Sequence, residues 1–177
     1  MNEPTADDAL ENSVRRALQD AAARLRQAGA RDEALARYVA PHRVLLVQRP
    51  ARMEPLGRVW RLGVLLLSAE GDASATGSVT RSAPPSRPAY QSLSAEARRQ
   101  EREAAFRGRY PAGETVNFAA EPVAVDATAL RSGDGVLFAR GDEVFVRWKG
   151  DASGDGVELR AYLDDHVSLL EHPPLGA

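Results

Sequence analysis

The sequence predicts an α+β protein: an antiparallel sheet built from hairpins, with N- and C-terminal helices packed on one face. Two observations carry this. Apolar residues recur every three or four positions near both ends of the chain. Between them lie stretches of strand length, some uniformly apolar and some alternating, separated by turn residues.

The first helix is expected over residues 6–28, where Leu10, Val14, Leu18, Ala21 and Leu25 form one apolar stripe. Thr5 can cap it, with Asp8 in the first turn and Gly29 just beyond its end. A short second helix is expected over 32–39, with Leu35 and Val39 one turn apart and Pro41 as its stop. Residues 43–57 fit a buried strand or a helical turn, after which Pro50, Pro55 and Gly57 break the chain.

Residues 58–67 give the clearest strand signal. Trp60, Leu62, Val64 and Leu66 fall on one face, and Val59, Arg61, Gly63, Leu65 and Leu67 on the other. Ser68 to Asp72 makes a turn. The alternating stretch 73–81 follows as a half-buried antiparallel partner, with Ala73, Ala75, Gly77 and Val79 on its inner side. Residues 82–92 form a Pro-rich loop whose one large hydrophobic residue is Tyr90.

A charged helix is expected over 95–107, with Glu96 near its start, Gly108 after its end and a thin stripe of Ala97, Ala104, Ala105 and Phe106. One or two short strands are expected around TVNF and PVAV, within 114–125. A hairpin over 135–148 turns at Gly141-Asp142 and sets Phe138 against Phe145 and Leu137 against Val146. The last helix, 157–171, carries Leu159, Leu163, His166 and Leu170 on one face and stops at Pro173 and Pro174.

At 177 residues the chain is expected to form a single domain, 1–177, with residues 1–5 as a disordered tail. The hydrophobic share of 44% includes 31 alanines, so helices must approach closely to build a core. Arginine outnumbers lysine 22 to one and isoleucine is missing, the signature of a GC-rich coding bias.

Composition also bounds the chemistry. The chain has no cysteine, which removes disulfides, thiol nucleophiles and Cys-ligated zinc. A net charge of −2 argues against a nucleic-acid coat. No apolar run approaches about 18 residues, so no membrane span or membrane partner is expected. The acidic, polar opening MNEPTADDALENS does not read as a secretory signal. The expected setting is the cytoplasm.

Motifs narrow it further. His42, His166 and His172 lack the i, i+4 spacing that places two metal ligands on one helix face. Asp151, Ser153, Asp155 and Gly156 start like a calcium loop, but Tyr162 stands where a bidentate Glu is required. Asp72, Ser74, Thr76 and Gly77 fail in the same way at Ala83. Lys149 is followed by Gly150 rather than Ser or Thr, and Gly133-Asp134-Gly135 lacks a third glycine, so neither phosphate cradle is present. There is no GxSxG elbow and no Ser-x-x-Lys pair. A Ser–His–Asp triad stays open, because it is defined by geometry. No metal and no cofactor is expected.

Charge distribution is the remaining signal. Residues 1–42 carry a net −1, residues 43–109 a net +6 and residues 110–177 a net −7. The basic middle either packs against the acidic part or forms an anion site. Arg61 lies within an otherwise apolar strand, and a buried guanidinium needs a partner or ligand. Arg81, Arg87 and Tyr90 lie at or in the Pro-rich loop, and arginine forks suit carboxylate or phosphate. Arg61, Arg81, Arg87 and Tyr90 are therefore the candidate binding residues.

The stretch RVWRLGVLLLSAEG, with ATGSVTR, RPAYQS, AGETVNF, VRW and the closing HPPLGA, resembles a group of small uncharacterised proteins of GC-rich bacteria. The likeness runs from about residue 10 to the end. Some members carry the label glutaminase, so the resemblance implies an amide hydrolase that converts glutamine to glutamate and ammonia. It transfers no site residues. The residues themselves favour a non-catalytic binding or accessory protein for an anionic small molecule or a protein partner. The amidohydrolase is the alternative, and it needs a Ser or Thr within hydrogen-bond reach of a histidine.

Overall fold

Helix α1 (Ala6–Gln27) opens the fold on a capping box: the Thr5 hydroxyl accepts from the Asp8 amide and the Asp8 carboxylate accepts from the Thr5 amide. Thr5 is thus a structured cap rather than part of a disordered tail. The computed structural model describes residues 5–86, 92–147 and 156–173. Seven strands follow: β1 (Glu33–Val39), β2 (His42–Val44), β3 (Val47–Arg49), β4 (Arg52–Leu62), β5 (Leu65–Ser68), β6 (Ala73–Ala75) and β7 (Ser78–Arg81). Then come α2 (Leu93–Arg107), β8 (Thr115–Phe118), β9 (Glu121–Pro122) and α3 (Ala127–Ser132). The described residues close with β10 (Leu137–Arg140), β11 (Glu143–Val146), β12 (Val157–Glu158) and α4 (Leu159–Glu171). The class is α+β.

The chain divides into two units, each assembled from separated stretches. Unit 1 comprises Met1–Arg31, Trp60–Thr76 and Glu121–Ala177. Its core joins Leu10, Val14, Leu18 and Leu25 of α1 to Trp60, Leu62, Leu65 and Leu67, and to Leu159, Leu163 and Val167 of α4. Burying one such side chain stabilises by about 1.5–3 kcal/mol. The Trp60 indole donates to the Ala30 carbonyl at 3.0 Å, so its one polar atom is satisfied. The expected hairpin is present as β10 and β11, with Phe138 opposite Phe145, Leu137 opposite Val146 and Gly141 at φ 62° in the turn. β12 adds to its edge.

Unit 2 comprises Asp32–Val59 and Gly77–Ala120. Its strands run in the order β7, β8, β1, β4. β7 pairs with β8 and β1 with β4 antiparallel, whereas β1 and β8 are parallel. The sheet is therefore mixed, not wholly antiparallel. Its core is small: Ala34, Ala36, Ala51, Met53, Ala104, Ala105, Val116 and Phe118.

Several expectations are corrected. Residues 33–39 are a strand, not a helix. Ala34 and Ala36 face the core while the larger Leu35 and Val39 are only half-buried, so the buried face carries the smaller residues and hides the period of two. Residues 43–57 form the hairpin of β2 and β3 and then enter β4, which runs through Pro55 and Gly57. A register shift opposite Leu35 and Ala36 accommodates them.

The expected single strand 58–67 is two strands joined by a turn at Gly63-Val64. Gly63 has φ 59°, which inverts the face assignment beyond it: Leu65 and Leu67 join the buried core of Trp60 and Leu62, Val64 packs half-buried against it, and Leu66 lies outside it. The stretch 73–81 is likewise divided. β6 pairs with β5 as expected, but β7 pairs with β8. In β7 Thr80 turns inward and Val79 is exposed, the reverse of the expected faces.

Helix α2 begins at Leu93 with Ser92 as its cap, earlier than expected. Its buried residues are Glu103, Ala104 and Ala105, while Ala97 and Phe106 are exposed. The two short strands expected within 114–125 are present as β8, which is TVNF, and β9, which reaches Pro122 of PVAV and stops before Val123; the short α3 follows where no helix was expected.

Candidate functional site

The strongest candidate lies in unit 2, where β7 and α2 line an open groove of about 320 Å³. β7 contributes Val79, Thr80 and Arg81, and α2 contributes Ala95, Arg98, Glu101 and Arg102. The backbone explains both rows. β7 is held by β8, with Thr80 opposite Val116 and Arg81 opposite Thr115. Arg98 and Arg102 are four residues apart on α2 and so share a face.

The rest of α2 is fixed by a charge network. Arg99 donates to Glu96 at 2.5 Å and to Glu103 at 2.6 Å, and Arg107 donates to Glu103 at 2.9 Å. Glu103 is buried and also accepts from the Ser86 amide at 3.3 Å, while Arg99 donates to the Ser86 carbonyl at 3.1 Å. The Arg99 guanidinium holds the Glu96 carboxyl below the usual carboxylate range. Arg107 also donates to the Ala51 carbonyl at 2.7 Å. These bonds orient α2 and tie the chain leaving β7 against it.

Several other described arginines are neutralised in this way. Arg58 binds Asp32 and Glu114, which raise its pKa further above the ordinary value. Arg37 and Arg52 converge on Glu54, and Arg24 bridges Glu171 and Asp164. By contrast, Thr80, Arg81, Arg98 and Arg102 form no side-chain hydrogen bond or ion pair among the described residues. The groove thus presents three guanidiniums and one hydroxyl against the single carboxylate of Glu101. Such a set can hold a small anion through several charge-assisted hydrogen bonds.

Of the residues singled out in the sequence, Arg81 lines this groove. Arg61 belongs to unit 1, is half-buried in β4 and is already partnered within the protein. Arg87 and Tyr90 lie outside the described residues, as do Asp151, Ser153 and Asp155. Arg98 and Arg102 were not singled out, although their spacing was a signal: like charges at i, i+4 repel on an isolated helix.

Other depressions are less suited. One in unit 1, lined by Asp20, Arg24, Arg160 and Asp164, encloses about 240 Å³, but its charges balance and Arg24 is engaged. The histidines serve local structure. His166 has Nδ1 at 2.9 Å from the Tyr162 carbonyl and stacks on the Tyr162 ring at 4.1 Å. His42 has Nδ1 at 3.1 Å from the Ala40 carbonyl. Among the described residues, no Ser or Thr hydroxyl is hydrogen-bonded to an imidazole, and no three His, Asp or Glu side chains cluster to hold a metal. No helix among them is long and apolar enough to cross a membrane.

Comparison with known proteins gives no relative to set beside this geometry: no family model, no curated protein and no solved structure matches the chain.

Proposed function

We propose that the protein is a cytoplasmic, non-catalytic binding protein that takes up a small phosphate- or carboxylate-bearing molecule in the β7–α2 groove. One observation carries this: Arg81, Arg98 and Arg102 line one groove with no ion pair among the described residues, whereas Arg58, Arg99 and Arg107 of the same unit are paired with carboxylates. Arg81 would fix the anion from the strand, Arg98 and Arg102 from the helix, and Thr80 would donate its hydroxyl. Val79 and Ala95 give the non-ionic part of the ligand an apolar wall.

Thermal unfolding with inorganic phosphate, pyrophosphate, glutamate and glutamine tests it. A ligand at a hundred times its dissociation constant adds about 2.7 kcal/mol. That raises the melting temperature by roughly 5–10 °C for a chain of this size. An anion-dependent shift that Arg98→Ser removes is expected. A flat response to every anion would overturn the site. Release of ammonia from glutamine would overturn the non-catalytic reading in favour of an amidohydrolase.

A further inference from the structure

The hairpin of β2 and β3 carries a second surface, unrelated to the groove. Its rungs pair His42 with Arg49, Arg43 with Gln48 and Val44 with Val47, so Leu45 and Leu46 form the turn. Leu45 is 91% exposed, Leu46 86% and Val47 64%. The backbone at Leu45 is strained as well, with φ 55°, a left-handed conformation that favours glycine or asparagine. A two-residue hairpin turn in water calls for residues such as Asn-Gly. Here Leu45 suits neither the conformation nor the solvent, and Leu46 does not suit the solvent. Departures of this kind concentrate at functional surfaces.

The surroundings of the tip define its partner. From Ala40 to Ala51 there is no acidic residue. Opposed residues share a face and successive rungs alternate, so Arg49 and His42 lie on one face and Arg43 on the other. Neither Arg43 nor Arg49 has an ion pair among the described residues. Along a strand Arg43 stands about 7 Å and Arg49 about 10 Å behind the leucines. That is the depth at which a segment lying in a membrane interface meets the headgroups, since its apolar side sinks about 5–10 Å. A basic collar on both faces suits a continuous anionic layer. Three exposed apolar side chains, by contrast, fall well short of the roughly 800 Å² that each partner buries in a stable protein interface.

We infer that the β2–β3 tip inserts Leu45 and Leu46 into an anionic lipid surface, with Arg43 and Arg49 at the headgroups. The contact is peripheral and needs no spanning segment. It departs from the expectation, drawn from hydropathy alone, that the chain meets no membrane.

Co-sedimentation with vesicles tests it, comparing phosphatidylcholine alone with phosphatidylcholine containing phosphatidylserine. The intact protein is expected to bind the second at low salt and to be released as salt rises. Leu45→Gly/Leu46→Ser is expected to lower binding at least about tenfold. The same double variant relieves the strained turn, so its melting temperature should hold or rise, and a folding defect cannot account for the loss. Arg43→Gln/Arg49→Gln should abolish the preference for phosphatidylserine. No binding by the intact protein would overturn the inference. So would binding that survives the leucine changes but falls with Arg98→Ser, which would assign the lipid headgroup to the groove. A self-association lost with the leucines, without vesicle binding, would also overturn it and make a second copy the occupant.

Discussion

The Tyr162 hydroxyl donates to the Leu62 carbonyl at 2.8 Å and in the same stroke accepts from the Val64 amide at 2.8 Å. One side chain of α4 thereby satisfies the backbone on both sides of the Gly63 turn. Burial pushes the phenol up from its ordinary pKa, so it remains a donor through the working range of pH. Tyr162→Phe leaves a buried carbonyl and an amide without this partner. It is expected to cost about 2–6 kcal/mol, at about 1–3 kcal/mol per unsatisfied group, and urea unfolding would read the change.

Gly63 and Gly141 separate two costs of replacing a glycine. Both have positive φ, at 59° and 62°. A methyl group at Gly141 meets open space, whereas at Gly63 it collides with the Tyr162 hydroxyl and His166 Nε2. Gly141→Ala is expected to cost about 1–2 kcal/mol, the conformational penalty alone. Gly63→Ala should cost clearly more, because the Tyr162 contacts must break. Equal losses in thermal unfolding would show that α4 shifts freely away from the turn.

Arg24 and Glu171 predict a pH dependence. Arg24 holds the Glu171 carboxyl below its ordinary pKa of 4.5, through hydrogen bonds at 2.9 and 3.2 Å. The folded value is the lower one. The contribution is therefore complete above the unfolded value and is lost as pH falls through the folded value. Arg24→Gln should lower the melting temperature near neutrality and less in acid below the usual carboxylate range. A gap that stays constant across that range would remove the pair as its source. High salt should narrow the gap at neutral pH, because Arg24 is partly exposed.

In the groove, Arg81→Ser, Arg98→Ser and Arg102→Ser are each expected to weaken anion binding about ten- to a hundredfold, the weight of one charge-assisted hydrogen bond. Arg99→Ser touches no ligand in this arrangement. It should lower stability instead, by leaving buried Glu103 with Arg107 as its one remaining ion-pair partner among the described residues. Calorimetric titration and thermal unfolding of the same variants would separate the two effects.

What the sequence disclosed depended on whether local pattern and packing agreed. The cap at Thr5, the stripe of α1 and the Phe138–Phe145 register were legible because local chemistry determines each of them. β1 was not, because its buried face is filled by Ala34 and Ala36 and its larger side chains lie outside. The Gly63 turn was hidden within a run of apolar residues, since the chain is buried on both sides of it. Arg81 was legible as a cation beside a Pro-rich loop. Arg98 and Arg102 were masked by the charge density of α2, and only their lack of acidic partners sets them apart from Arg99 and Arg107.

The Arg24–Glu171 bridge joins positions 147 residues apart, between α1 and α4. On a ribosome adding about 5–20 residues per second, α1 therefore waits roughly 7–30 seconds for that partner. During this interval its apolar stripe has no α4 to cover it. The core that α1 shares with α4 cannot close until α4 has emerged, so vectorial synthesis leaves the α1 stripe uncovered for that interval.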